Sequence, residues 1–71
     1  MNLASYLGVF AEVASVKIEA LSFGLEMSTD YGNSWVPLTT AKQYEFNNVN
    51  CNYIHLRNLQ TNPSFTVFVT L

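Results

Sequence analysis

From residue 15 to the end of this 71-residue chain, apolar side chains recur at every second position, and clusters of Asn, Asp, Gly and Pro interrupt them at short intervals. That period belongs to a pleated strand with one face buried. Val16, Ile18 and Ala20 alternate with Lys17 and Glu19, and Leu21, Phe23, Leu25 and Met27 alternate with Ser22, Gly24 and Glu26. The apolar parity flips between Ala20 and Leu21. A bulge or turn is expected there, because a one-residue slip exchanges the two faces of a strand. Further along, Tyr44–Phe46 predicts a short strand and Asn47–Asn50 a turn. Tyr53–Arg57 predicts a strand with Ile54 and Leu56 inward, Asn58–Pro63 another turn, and Phe65–Leu71 the strongest strand of all. The expected fold class is all-β: a small antiparallel β-sandwich or barrel of about six or seven short strands, with residues 1–71 as a single domain.

The first dozen residues carry two competing periods. Leu3, Tyr6, Leu7, Phe10 and Val13 fit a helical stripe, whereas Leu3, Leu7, Val9, Ala11 and Val13 fit one strand face that must accept Ser5. The strand is preferred, because Gly8 weakens a helix and Val9-Phe10 suits a sheet. Residues 1–12 then form an N-terminal strand or an arm. Met1–Ala14 lacks a basic start and contains Glu12, so it reads as neither a signal peptide nor a membrane span.

Composition narrows the function. Charged residues make up 11% of the chain, against roughly 25% in an average domain, and the net charge is −2. Such a surface has no basic patch to release counterions from nucleic acid or to attract an anionic membrane, so neither is an expected partner. The single cysteine, Cys51, can make no intramolecular disulfide, which fits synthesis in a reducing cytosol. A core of this size rarely yields more than about 3–5 kcal/mol, and small domains supplement it with disulfides, metals or oligomerisation. The ten aromatic residues are too many for one such core. The polar positions are largely filled by 8 Asn, 6 Ser and 6 Thr, which pack against a neighbour without the desolvation cost of a charge. A self-associating chain surrounded by other subunits is the expectation.

Ser28-Thr29-Asp30-Tyr31-Gly32-Asn33-Ser34-Trp35 reads S-x-D-x-G-x-S-W and resembles an Asp-box, the β-hairpin motif of sialidase-like propellers and other β proteins. The resemblance implies a structural turn: Asp30 accepts backbone N–H bonds, Gly32 takes a positive φ, and Trp35 folds over the turn, with Ser28 and Ser34 completing the pattern. In the sialidases these hairpins lie away from the catalytic site, so no hydrolase activity is carried over. One hairpin also cannot make a propeller, whose blades run to about forty residues each.

A broader resemblance runs through Leu7-Gly8-Val9-Phe10, Val16–Ala20, Asp30–Leu38, Tyr53–Asn58 and the terminal Val/Thr-rich strand. It is similar to small β domains of bacteriophage virion proteins. The chain departs from that pattern at Tyr31, where a first hairpin glycine is usual, and at Leu21–Met27, which reads as an insertion. The resemblance implies a virion structural protein made in the host cytoplasm. Such a protein would be a capsid decoration (cement) or tail or fibre accessory subunit, bound to itself and to a major capsid or tail protein.

Candidates for chemistry are few. Cys51 and His55 lie four apart on a predicted strand and so share a face with Tyr53, but no further metal-ligand spacing accompanies them. The carboxylates Glu12, Glu19, Glu26, Glu45 and Asp30 are scattered rather than paired. The chain reads as non-enzymatic, with no catalytic residue, cofactor or metal. Tyr6, Phe10, Tyr31, Tyr53, His55 and Arg57 are the candidate contact residues, Arg57 either as the one fork-shaped donor for a carboxylate across an interface or as an ordinary exposed strand residue. The alternative is a carbohydrate- or receptor-binding module in which Tyr31, Trp35 and a neighbouring aromatic stack on a glycan.

Overall fold

The computed structural model describes residues 1–58 and 64–71. Six short strands form two three-stranded antiparallel sheets. They are β1 (Glu12–Ala20), β2 (Leu25–Ser28), β3 (Val36–Pro37), β4 (Gln43–Asn50), β5 (His55–Asn58) and β6 (Phe65–Thr70), preceded by a short helix α1 (Leu3–Leu7). One sheet has the order β4-β1-β6 and the other β3-β2-β5. The inner faces share one core, in which Val13, Val16, Ile18 and Ala20 of β1 join Leu25, Met27 and Leu56 of the other sheet and Ile54 just before β5. Phe65, Val67 and Val69 of β6 pack against its margin. The all-β expectation is met, and Ile54 and Leu56 point inward as their alternation requires, each 1% exposed.

The expected N-terminal strand is instead α1. Asn2 caps it by accepting a hydrogen bond from Ser5 N on Oδ1, and Gly8 ends it at φ 72°, its N–H donating to Ala4 O. The glycine counted against a helix is therefore its stop signal, since only glycine enters the left-handed region without strain. Residues 1–8 are not an extended arm either. Met1 and Leu3 bond the backbone of Leu56 and Ile54, so the segment lies along the free edge of β5.

Three further expectations are corrected. Leu21–Gly24 is a turn and β2 begins only at Leu25, which leaves Leu21 and Phe23 exposed. Of the bulge or turn expected at the parity flip, it is the turn that forms, and it carries the chain from one sheet to the other, so what is corrected is the strand pattern of Leu21–Gly24. Asn47–Asn50 is not a turn but the second half of β4, and its pairing with β1 keeps one register from Glu12–Asn50 to Glu19–Gln43. At Asn48, φ is 53°, and both strands change their inward parity around that point, from Val13 and Val49 to Val16 and Phe46. Because the change is shared, the register survives it. Finally, Cys51–Tyr53 is a 3₁₀ turn, not strand, capped by the Asn50 side chain. The turn expected over Asn58–Pro63 lies, beyond Asn58, outside the described residues.

Candidate functional site

The hairpin joining β2 to β3 organises the outer face of the β3-β2-β5 sheet. Ser28, at the end of β2, is 1% exposed. Its hydroxyl donates to Asp30 Oδ1 at 2.6 Å and accepts from Gly32 N at 2.8 Å and Asp30 N at 3.3 Å. Asp30 in turn accepts Ser34 N on Oδ1 at 2.9 Å and the Ser34 hydroxyl on Oδ2 at 2.6 Å. These hydrogen bonds, from Ser28 first and then from the Ser34 side chain and backbone, lower the Asp30 carboxyl from its ordinary value to about 2. Gly32 holds φ 85°, and Trp35 closes the turn by donating Nε1–H to Gly32 O at 3.1 Å. Gly32 and Trp35 thus take the expected positive φ and closing position, whereas Asp30 accepts the backbone N–H of Ser34, four residues on, together with the Ser28 and Ser34 hydroxyls, and the Gly32 N–H goes to Ser28 instead.

The turn curls back over the sheet and covers two strand residues. On β5, His55 and Arg57 flank the buried Leu56 and face outward. The Arg57 guanidinium stacks 4.2 Å from the centre of the Trp35 ring, and its Nε bonds Glu26 Oε1 on β2 at 2.8 Å. Arg57, read either as an interface donor or as an ordinary exposed strand residue, pairs through Nε with a carboxylate of its own sheet and stays exposed. The Tyr31 ring packs 4.7 Å from that of Tyr53 and 6.2 Å from that of His55. Asn2 joins the same cluster through Nδ2, 3.4 Å from both His55 Nε2 and the Asn52 carbonyl.

The structure therefore divides the expected contact residues. Tyr31, Tyr53 and His55 come together, and Arg57 stands beside them over Trp35. Tyr6 lies elsewhere, 5.5 Å from Phe65 ring to ring, and Phe10 is 63% exposed. Tyr31 and Trp35 turn to different neighbours, so the aromatic pair open to a ligand is Tyr31 with Tyr53 rather than Tyr31 with Trp35. Asn2 was not legible as a member of this cluster, because nothing local in the sequence tells that the N-terminus lies along β5. The Cys51–His55 pairing does not form on one strand face: Cys51 is fully buried in its 3₁₀ turn, and burial pushes its thiol up. Among the described residues no group of three His, Cys, Asp or Glu side chains could hold a metal ion.

The other sheet presents a different outer face. Ser15 and Lys17 of β1, Gln43 and Glu45 of β4, and Phe68 and Thr70 of β6 line an open groove of about 280 Å³. It has one cation, one carboxylate and a ring exposed by 55%, and no turn folds over it among the described residues. Compared with known proteins, the chain matches no family model, no curated protein and no solved structure.

Proposed function

We propose that this chain is a non-enzymatic structural subunit of a virion, a capsid decoration or tail or fibre accessory protein, that works by self-association and by contacts with a larger shell. The observation that carries the reading is the kind of surface the fold leaves outside. Phe23, Phe10 and Phe68 are 69%, 63% and 55% exposed on a chain with eight charged side chains. Single exposed apolar residues are ordinary, but aromatic rings at this density on a nearly uncharged surface suit protein contacts. The virion context rests on the resemblance of the strand and hairpin pattern to small phage β domains. Native mass by light scattering across the micromolar range tests the reading. A closed oligomer is expected, and a monomer at every concentration overturns it.

The Tyr31–Tyr53 pair favours a second reading, a glycan-binding module. Two half-exposed rings beside Asn2, Asn52 and His55 combine stacking surface with amide and imidazole hydrogen-bonding groups. Binding on a glycan array that disappears in Tyr31→Ala and Tyr53→Ala while the fold is kept would establish it, and silence across the array would remove it.

A further inference from the structure

Four strand edges bound the two sheets, and three of them are blunted. β3 is two residues long and contains Pro37. The free edge of β5 is occupied by the backbone of Met1–Leu3. β4 carries Glu45 and is bent by the positive φ of Asn48. Short length, proline, charge, bends and cover are the usual means of keeping an edge from pairing with another chain. Among the described residues β6 has none of them: Phe65–Thr70 is six residues long, uncharged and rich in β-branched side chains, and it pairs with β1 on one side only.

The sequence of β6 also reads the same in both directions about Phe68: Thr66-Val67-Phe68-Val69-Thr70, flanked by Phe65 and Leu71. We propose that β6 pairs antiparallel with β6 of a second copy of this chain about a two-fold axis at Phe68, joining two three-stranded sheets into one of six strands. The inference extends the self-association reading above by naming its surface.

The backbone geometry agrees with this register. Leu21 N donates to Ser64 O at 2.8 Å, continuing the β1–β6 ladder one step past the Ala20–Phe65 pair. Hydrogen-bonded and non-hydrogen-bonded pairs alternate along an antiparallel ladder. Thr66, Phe68 and Thr70 therefore direct their backbone groups toward β1, and Val67 and Val69 direct theirs toward the open edge. A two-fold axis at Phe68 sets Val67 opposite Val69 of the second copy, so outward-directed groups meet outward-directed groups. Side chains agree as well. Phe68 and Thr70 line the outer groove while Val67 and Val69 pack on the core, and the pairing sets Phe68 against Phe68 and Thr66 against Thr70 on one face. A two-fold axis places residues against their own copies, which penalises a charged strand, and β6 has no charge to repel.

The test uses charge at the axis. Phe68 is 55% exposed, so Phe68→Lys and Phe68→Glu should keep the fold, checked by circular dichroism, with Phe23→Lys as a control at another exposed ring. Each Phe68 variant alone sets like charges face to face and loses a ring pair, and should weaken self-association by about tenfold or more. Mixing the two should restore the wild-type mass, and Phe23→Lys should leave it unchanged. Thr66→Cys mixed with Thr70→Cys under oxidised glutathione should give a disulfide-linked dimer that neither forms alone, since directly opposed non-hydrogen-bonded residues lie within disulfide reach. An oligomer that survives both Phe68 variants, or a mixture that yields no linked dimer, overturns pairing through β6 and leaves self-association standing. A wild-type monomer overturns both.

Discussion

The two sheets share a core, yet among the described residues only one of them has its outer face and a free edge covered by other segments of the chain. The β3-β2-β5 sheet has its outer face roofed by the hairpin turn, with Trp35 on Arg57 and Tyr31 on His55, and the far edge of β5 lined by Met1–Leu3. The β4-β1-β6 sheet is longer in every strand, and its outer face is an open groove beside a β6 edge that no other strand pairs with among the described residues. The difference shows where the chain spends its local sequence. Specific turn chemistry and capping complete the small sheet, which has too few strand residues to stand alone. The large sheet has longer strands, and among the described residues no turn folds over its outer face.

The strongest way to break this contrast is to remove the cover from β5. Leu3 is fully buried and anchors both α1 and the backbone bonds to Ile54, so Leu3→Ala leaves a core cavity and loosens the edge cover together. A loss of about 3 kcal/mol is expected in urea unfolding. A loss below about 1 kcal/mol would mean that the N-terminal segment adds little to the small sheet.

A paired substitution compares the two outer faces directly. Trp35 is half-buried between Gly32 and Arg57, and Trp35→Ala should cost about 2 kcal/mol, less than a fully buried ring would. Phe68→Ala, on the open face, should change the unfolding free energy of the monomer by less than about 0.5 kcal/mol and act on self-association instead. Equal losses at the two sites would show that the faces are not different in kind.

The same contrast explains what could be read in advance. The strands that alternate cleanly, Val16–Ala20 and Phe65–Thr70, were legible because one face is buried along the first and partly buried along the second. The hairpin was legible because its chemistry is local: serine, aspartate, glycine and tryptophan each act within seven residues. Leu21 and Phe23 continued a strand pattern but stand exposed in a turn, since alternation alone does not tell a solvent-facing ring from a buried one. Asn47–Asn50 is rich in turn formers, yet its pairing with β1 holds it extended and leaves only Asn48 at positive φ, so tertiary pairing outweighs local preference. The Tyr31–Tyr53–His55 cluster depends on the hairpin meeting the Cys51–Tyr53 turn, a contact between distant segments that no local signal announces.

Acid offers the most selective means of loosening the roof while leaving the open sheet alone. The Asp30 carboxyl is lowered to about 2 by hydrogen bonds that exist only in the folded hairpin, with Ser28 and Ser34 as donors. A lowered carboxyl contributes stability that is fully present above its ordinary value near 3.8 and is lost as pH falls toward 2. Its partners are hydroxyl and amide donors rather than a cation, so this contribution should survive added salt, which would weaken the exposed Arg57–Glu26 pair. Trp35 is the only tryptophan and sits on the same turn, which makes its emission a local reporter. Between pH 4 and pH 2 its emission should shift and the melting temperature should fall. Asp30→Asn should have a lower melting temperature at pH 7 and a flatter dependence over that acid range. An acid limb as steep in Asp30→Asn as in the wild type would assign the loss to carboxylates outside the hairpin and remove Asp30 as the group that holds the roof closed.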